Sequence, residues 1–326
     1  MMTPRRVAVL AIAALLVMMA ALWLGSRRDS ATTAHVGSPV LPRLDALLNE
    51  VARVRIESKS EAATLVRTGA GWTVEERGFR ADPAKLRRLL LGLADLKVIE
   101  EKTSDPAKYA QLGVEDPGPE ATGTHLLATA AGTEFALIIG KVADSASVYV
   151  RVPGSGPSLL AAPRVAADAD PKHWLDTALV DLPADRIESV AVTPATGPAW
   201  RATRGAATEP LALQGLPKGK VQRSPEIVTP VAALLVNLHA EDVHAAARTG
   251  AAAPAPRVVV RTFDGVEIEL HGRTEGERHY IHGTARSTGA ASEKEAAELA
   301  ARIAGFEFEL PRYKYDALFR PLADFT

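Results

Sequence analysis

At 326 residues the chain is longer than one compact core needs, so two domains are expected. Lysine and arginine number 38 against 39 aspartates and glutamates, for a net charge of −1, and no basic stripe stands out. A phosphate-tracking protein needs a cationic surface, so nucleic acid is not an expected partner. The lack of cysteine removes disulfides, thiolate metal sites, a cysteine nucleophile and a lipidated N-terminal cysteine.

Val7 to Leu24 is an uninterrupted apolar run between Arg5-Arg6 and Arg27-Arg28. At roughly 1.5 Å per residue it reaches about 27 Å, close to the thickness of a bilayer's hydrocarbon. Trp23 sits near one end, where an indole suits the interface. A cleaved signal peptide is the alternative, but the run exceeds the usual apolar region. Leu22-Trp23-Leu24-Gly25 also gives no small-x-small cleavage site. Residues 1–25 are therefore expected to be an uncleaved transmembrane anchor. Its short leading tail would lie in the cytoplasm and the bulk of the chain outside it. Residues 26–42 are small and polar, including Ser30, Thr32, Gly37 and Pro39, and read as a flexible tether.

The remainder reads as α+β, in two diverged tandem units over 43–182 and 183–326, each an antiparallel sheet with packed helices. In the first, Val51 to Glu57, Ala63 to Thr68 and Gly71 to Val74 read as strands. Asp82-Pro83 opens a helix, an N-cap acceptor followed by proline where no donor is lost. Leu86, Leu89, Leu90, Leu93 and Leu96 share its apolar face. Tyr109 to Pro117 is turn-rich. His125 to Thr129 and Glu134 to Ile139 form a hairpin around Gly132, closing on Gly140-Lys141. A tyrosine strand, Val148 to Arg151, follows, and Pro171 to Leu182 is expected to form a short helix with Trp174.

The second unit repeats this order. Val190 to Val192 is a strand, followed by Trp200 and Leu211. A helix opens at Ser224-Pro225 or at Thr229-Pro230; the earlier start would place Pro230 inside it at the cost of a backbone bond. Val231, Leu234, Leu235 and Leu238 give its stripe. Val258 to Arg261 and Val266 to Leu270 form a hairpin around Asp264-Gly265, closing on Gly272-Arg273 after a one-residue shift. His279 to His282 is the second tyrosine strand, Glu293 to Ile303 a further helix, and Tyr315 to Leu322 echoes Leu175 to Leu182. No short period appears, so the pattern is a duplication.

Chemical motifs are sparse. His279 and His282, three apart in a strand, point to opposite faces. His271 is placed across the hairpin from His279 with Glu269 nearby, the least poor set for a three-ligand zinc. His239 and His244 are five apart, a poor helical ligand spacing, and no H-E-x-x-H is present. Gly154-Ser155-Gly156 lacks the nucleophile-elbow frame. Gly69-Ala70-Gly71 is too short for a phosphate fingerprint, and there is no Walker lysine. Asp168, Asp170, Asp181 and Asp185 lack calcium-loop spacing. Glu100-Glu101 reads as the exposed end of a helix. Trp72, Trp174 and Trp200 with Tyr149 and Tyr280 are either a ligand-stacking set or core anchors, and their repeated positions favour the core. No catalytic, cofactor-binding or metal residue is therefore assigned.

Gly71-Trp72-Thr73-Val74, the Asp82-Pro83 helix, Tyr109-x-x-Leu112-Gly113-Val114-x-Asp116-Pro117, Ile139-Gly140-Lys141 and Tyr149-Val150-Arg151 together resemble DUF4340, a bacterial family without established catalytic residues. The resemblance covers nearly everything after residue 43. It implies one anchor in the inner membrane, an extracytoplasmic duplicated α+β region, and genes set beside ABC exporter subunits of the gliding-motility type. The expectation is an accessory or binding subunit of an envelope ABC exporter. Its rivals are a cell-wall glycan or lipid binder without a transporter partner, and an envelope hydrolase.

Overall fold

The computed structural model describes residues 35–69, 71–154, 156–224, 226–246 and 255–326. The apolar run 7–24, most of the tether, Ala70, Ser155 and Pro225 lie outside the described residues. Among the described residues no helix is long and apolar enough to cross a membrane. The fold is α+β: antiparallel sheets with few helices.

Among the described residues the strands are, in chain order, β1 (Val51–Glu57), β2 (Ala62–Thr68), β3 (Gly71–Val74), β4 (Phe79–Arg80), β5 (Lys97–Thr103), β6 (Thr124–Ala130), β7 (Thr133–Val142), β8 (Val148–Arg151), β9 (Ser158–Ala162), β10 (Ala178–Val180), β11 (Ile187–Thr193), β12 (Trp200–Thr203), β13 (Ala212–Gln214), β14 (Leu238–His239), β15 (Asp242–Ala245), β16 (Arg257–Thr262), β17 (Val266–Glu275), β18 (Arg278–Ser287) and β19 (Phe306–Leu310). Two compact units divide the chain. One gathers the described residues up to 62 with 87–169; the other gathers 63–86 with 170–326. This division by compactness differs from the expected tandem boundary at 182/183, because 63–86 and 170–182 belong with the later residues.

In the first unit the strands lie in the order β1-β6-β7-β8-β9-β5. Alternation explains the burial: Leu126, Ala128 and Ala130 of β6 point into the core, as do Val54 and Ile56 of β1. The β6–β7 hairpin turns on Ala131 and Gly132, both with left-handed φ (48° and 77°), the two-residue geometry that matches strand twist.

In the second unit, β13-β12-β11-β16-β17-β18-β19-β15 form one sheet, β10 pairs with β14, and β2, β3 and β4 form an antiparallel ladder. The run β11-β16-β17-β18-β19-β15 follows the strand order of the first unit. The Glu293–Ile303 helix buries Ala296, Leu299 and Ile303, as its spacing predicts.

The Pro83–Ala94 helix starts where expected: Asp82 Oδ1 accepts from the backbone N–H groups of Ala84 (2.8 Å) and Lys85 (3.1 Å). Leu86, Leu89 and Leu93 are buried. Three expectations need correction. The second leucine stripe forms no α-helix. It is a 3-10 helix over Thr229–Leu235, starting at the later proline. Pro230 leaves room for about two turns before Asn237 takes a left-handed φ and β14 begins. Pro171 to Leu182 is a 3-10 turn, Pro171–Trp174, and then strand β10, because Leu175 turns extended. Glu100 and Glu101 are exposed but lie in β5; the preceding helix has already ended at Ala94.

Candidate functional site

The residues of the Leu-Gly-Val-x-Asp-Pro turn converge with distant partners in the first unit. The short Tyr109–Leu112 helix ends on Gly113, whose φ of 70° is the left-handed cap that glycine adopts most easily. Its last carbonyls receive Lys141 Nζ, at 2.9 Å from Gln111 O and 3.5 Å from Ala110 O. A Cβ on Gly140 would lie 2.3 Å from Leu112 O, and one on Gly123 would lie 2.2 Å from Gly113 O, so backbones meet there without side chains. Arg151 is buried. It donates to Val114 O (2.7 Å) and Asp116 Oδ1 (2.5 Å), and its guanidinium lies 4.5 Å from the Tyr109 ring centroid. Tyr109 donates its hydroxyl to Gly156 O at 2.7 Å. Tyr109, Gly113, Val114 and Asp116 of the motif thus have structural tasks, tying a turn to β7 and β8.

The histidine set is rearranged relative to expectation. His271 lies directly across from His282, and His279 pairs with Thr274. The His271 and His282 rings stack at 5.3 Å and 13°. Glu269 Oε1 lies 2.8 Å from His271 Nε2, while Arg257 holds the same carboxylate at 2.6 and 2.7 Å. The Arg257 hydrogen bonds, helped by His271 against desolvation, hold Glu269 below the usual carboxylate range. His279 packs instead against Tyr315, 5.0 Å between ring centroids. The His271–His279–Glu269 set, named from the sequence as the least poor candidate and not assigned, is therefore not assembled. Among the described residues no three histidine or acidic side chains gather at metal-ligand spacing.

The remaining candidates disperse. His239 is on β14 and His244 on β15, with His244 Nε2 3.6 Å from Asp242 Oδ2 and 3.7 Å from Glu309 Oε2. Asp170 caps Pro171–Trp174, Asp181 accepts from Asn237 N at 3.0 Å, Asp185 sits in a 3-10 turn and Asp168 is exposed. Trp174, Trp200 and Tyr280 are buried anchors, Trp200 donating to Arg320 O at 2.8 Å, while Trp72 and Tyr149 are half-buried.

The sequence reading missed two features of the second unit. Glu267 is buried on β17 between Arg261 and Arg286, which both pair with it; its place in the alternation Val266-Glu267-Ile268-Glu269-Leu270 gave no signal of burial. The other is a cavity of about 540 Å³, walled by Pro230, Leu234, Pro256, Tyr313, Tyr315 and Phe319. That volume falls in the range of small-ligand pockets. Tyr315 is 7% exposed and its oxygen covers Gly272, where a Cβ would meet it at 2.5 Å. Burial, with a smaller push from Asp316, raises the phenol to about 12, so it remains a neutral hydroxyl. The ionic groups that line it are engaged: Asp316 with Arg312 at 3.4 Å, and Arg320 with Asp324 at 3.2 Å.

An α+β protein with antiparallel sheets, a structurally committed motif turn and an apolar cavity belongs with binding folds as readily as with enzymes. The family model described as Domain of unknown function (DUF4340) matches residues 72–256, and the chain belongs to that family. Comparison with curated proteins and with solved structures gave no match.

Proposed function

We propose that this chain is a membrane-anchored, extracytoplasmic accessory or binding subunit working with an ABC-type exporter of the bacterial envelope. The observation that carries the binding role is the cavity beside Tyr315. It offers apolar contact area, and the charged groups that line it, Asp316, Arg320 and Asp324, are held in ion pairs rather than arranged as nucleophile and base. The anchor is residues 7–24, retained in the inner membrane with a tether after it. The exporter partner follows from the family resemblance and from the absence of a nucleotide motif in the sequence. The two units are read as diverged copies, a reading supported by the shared order of six strands. Tethering raises the effective concentration for any partner in the same membrane, so a weak interface suffices.

Affinity capture of the full chain from detergent-solubilised membranes is the test, and exporter permease subunits are the expected co-purifying proteins. Recovery of no permease above an unrelated anchored control would reject the exporter role. N-terminal sequencing that began near Ser26 would reject the retained anchor. The second reading is a binder of cell-wall glycan or lipid, favoured by Tyr313, 69% exposed at the cavity.

A further inference from the structure

β17 and β18 pair over ten register positions, and His271 and His282 face each other within them. Their rings stack nearly parallel, 5.3 Å between centroids. Charged groups surround the stack on each neighbouring strand. From β16, Arg257 stands beside His271 in register and grips Glu269 through both oxygens. From β17, Glu269 meets His271 Nε2 at 2.8 Å, and Arg273 follows two residues after His271. From β19, Glu307 is held by Arg273 at 3.2 and 2.8 Å. Both nearby carboxylates are thus already paired with arginines. Glu269 is placed to accommodate one imidazolium, on His271. A second, on His282, would meet the first and Arg273 with only the shared Glu307 opposing.

We propose that the His271–His282 stack is an acid-sensitive element of the second unit, closed while His282 is neutral and pushed apart when both rings are protonated. The charge environment agrees. Burial first, then His271, pulls His282 below the ordinary histidine value; Glu307 pulls the other way, and Arg273 adds to the lowering. The sign follows. The unfolded chain binds this proton at about 6.5 and the folded chain only at lower pH. Stability is therefore full above about 6.5 and declines as pH falls from there through the folded value. The strain falls on the β17–β18 pairing, which acidification should loosen.

The experiment is a pH titration of the imidazole resonances in the full chain, with histidine labelled, in wild type, His271→Gln and His271→Phe. Amide exchange of β17 and β18 is followed alongside, corrected for the intrinsic pH dependence of exchange. His282 should titrate below the ordinary histidine value. Either substitution should move it upward. Wild-type protection of β17 and β18 should drop several-fold, about tenfold per unit of His282 shift, as pH falls from about 6.5 through the lower folded value. His271→Phe retains a flat ring and should keep the strands paired at low pH. A His282 that titrates at or above the ordinary value in wild type would overturn the proposal, as would unchanged protection. The wild-type measurement decides even if both variants fail to fold.

Discussion

Arg151 and Asp116 meet at 2.5 Å with opposite exposures, the arginine side chain 3% exposed and the aspartate 67%. The enclosed cation leans mainly on its buried neighbours, the Val114 carbonyl and the Tyr109 face. Arg151→Met removes the hydrogen bond to Val114 and leaves that carbonyl unmatched, at an expected cost of about 1.5–3 kcal/mol. Asp116→Asn, at the solvent end, should cost under about 1 kcal/mol. Urea unfolding of both variants measures the difference, and a larger loss for Asp116→Asn would refute this ranking.

Gly140 has no room for a side chain. Gly140→Ala places a Cβ 2.3 Å from the Leu112 carbonyl, a backbone atom that cannot rotate away. Overpacking of this kind costs about 1–3 kcal/mol or more. Gly71→Ala is the control, since nothing lies within 4 Å of its Cβ position; it should shift stability by less than about 0.5 kcal/mol. Equal thermal midpoints for the two variants would contradict the close approach.

Leu93 is fully buried on the Pro83–Ala94 helix. Leu93→Ala should cost about 2–5 kcal/mol through lost burial and the residual cavity. A change well below 1 kcal/mol in denaturant unfolding would mean that this helical face is not a core face.

Arg77 holds Asp242 through two hydrogen bonds of 2.9 Å within the second unit. Burial by itself raises the Asp242 carboxyl, but the Arg77 bonds, the Val243 N–H and the nearby charges outweigh it and hold it below the usual range. The unfolded carboxyl titrates at about 3.9, so this stabilisation is present above that value and lost as pH falls through the lower folded value. Asp242→Asn should flatten the acid limb of stability between about pH 5 and 2 and lower stability at neutral pH. An unaltered acid limb would show that the pair does not govern it.

Local chemistry was readable wherever neighbours in sequence decide the outcome. Asp82-Pro83 starts a helix because the cap acceptor and the donors it satisfies lie within three residues. Glu293–Ile303 is readable because its 3.6-residue pattern is unbroken. Thr229 was a start whose helix type was not readable, since the length available depended on where β14 pairs.

The histidine cluster shows the boundary most clearly. Placing His271 across from His279 requires a turn earlier than the one observed; Glu275 pairs with Arg278, and Gly276-Glu277 make the turn. The partner therefore lies three residues further, at His282. An odd shift on a strand moves the side chain to the other face, which sends His279 to Tyr315 instead.

By itself the sequence determined the apolar run 7–24, the elements with an unbroken local pattern and the family, because these rest on residue type and short spacing. Tertiary structure alone decided that 63–86 joins the compact unit of 170–326, that Arg77 finds Asp242 at a sequence separation of 165, and that a cavity opens beside Tyr315. Those outcomes depend on strand register and on which buried faces meet, and neither quantity is carried by any short stretch of chain.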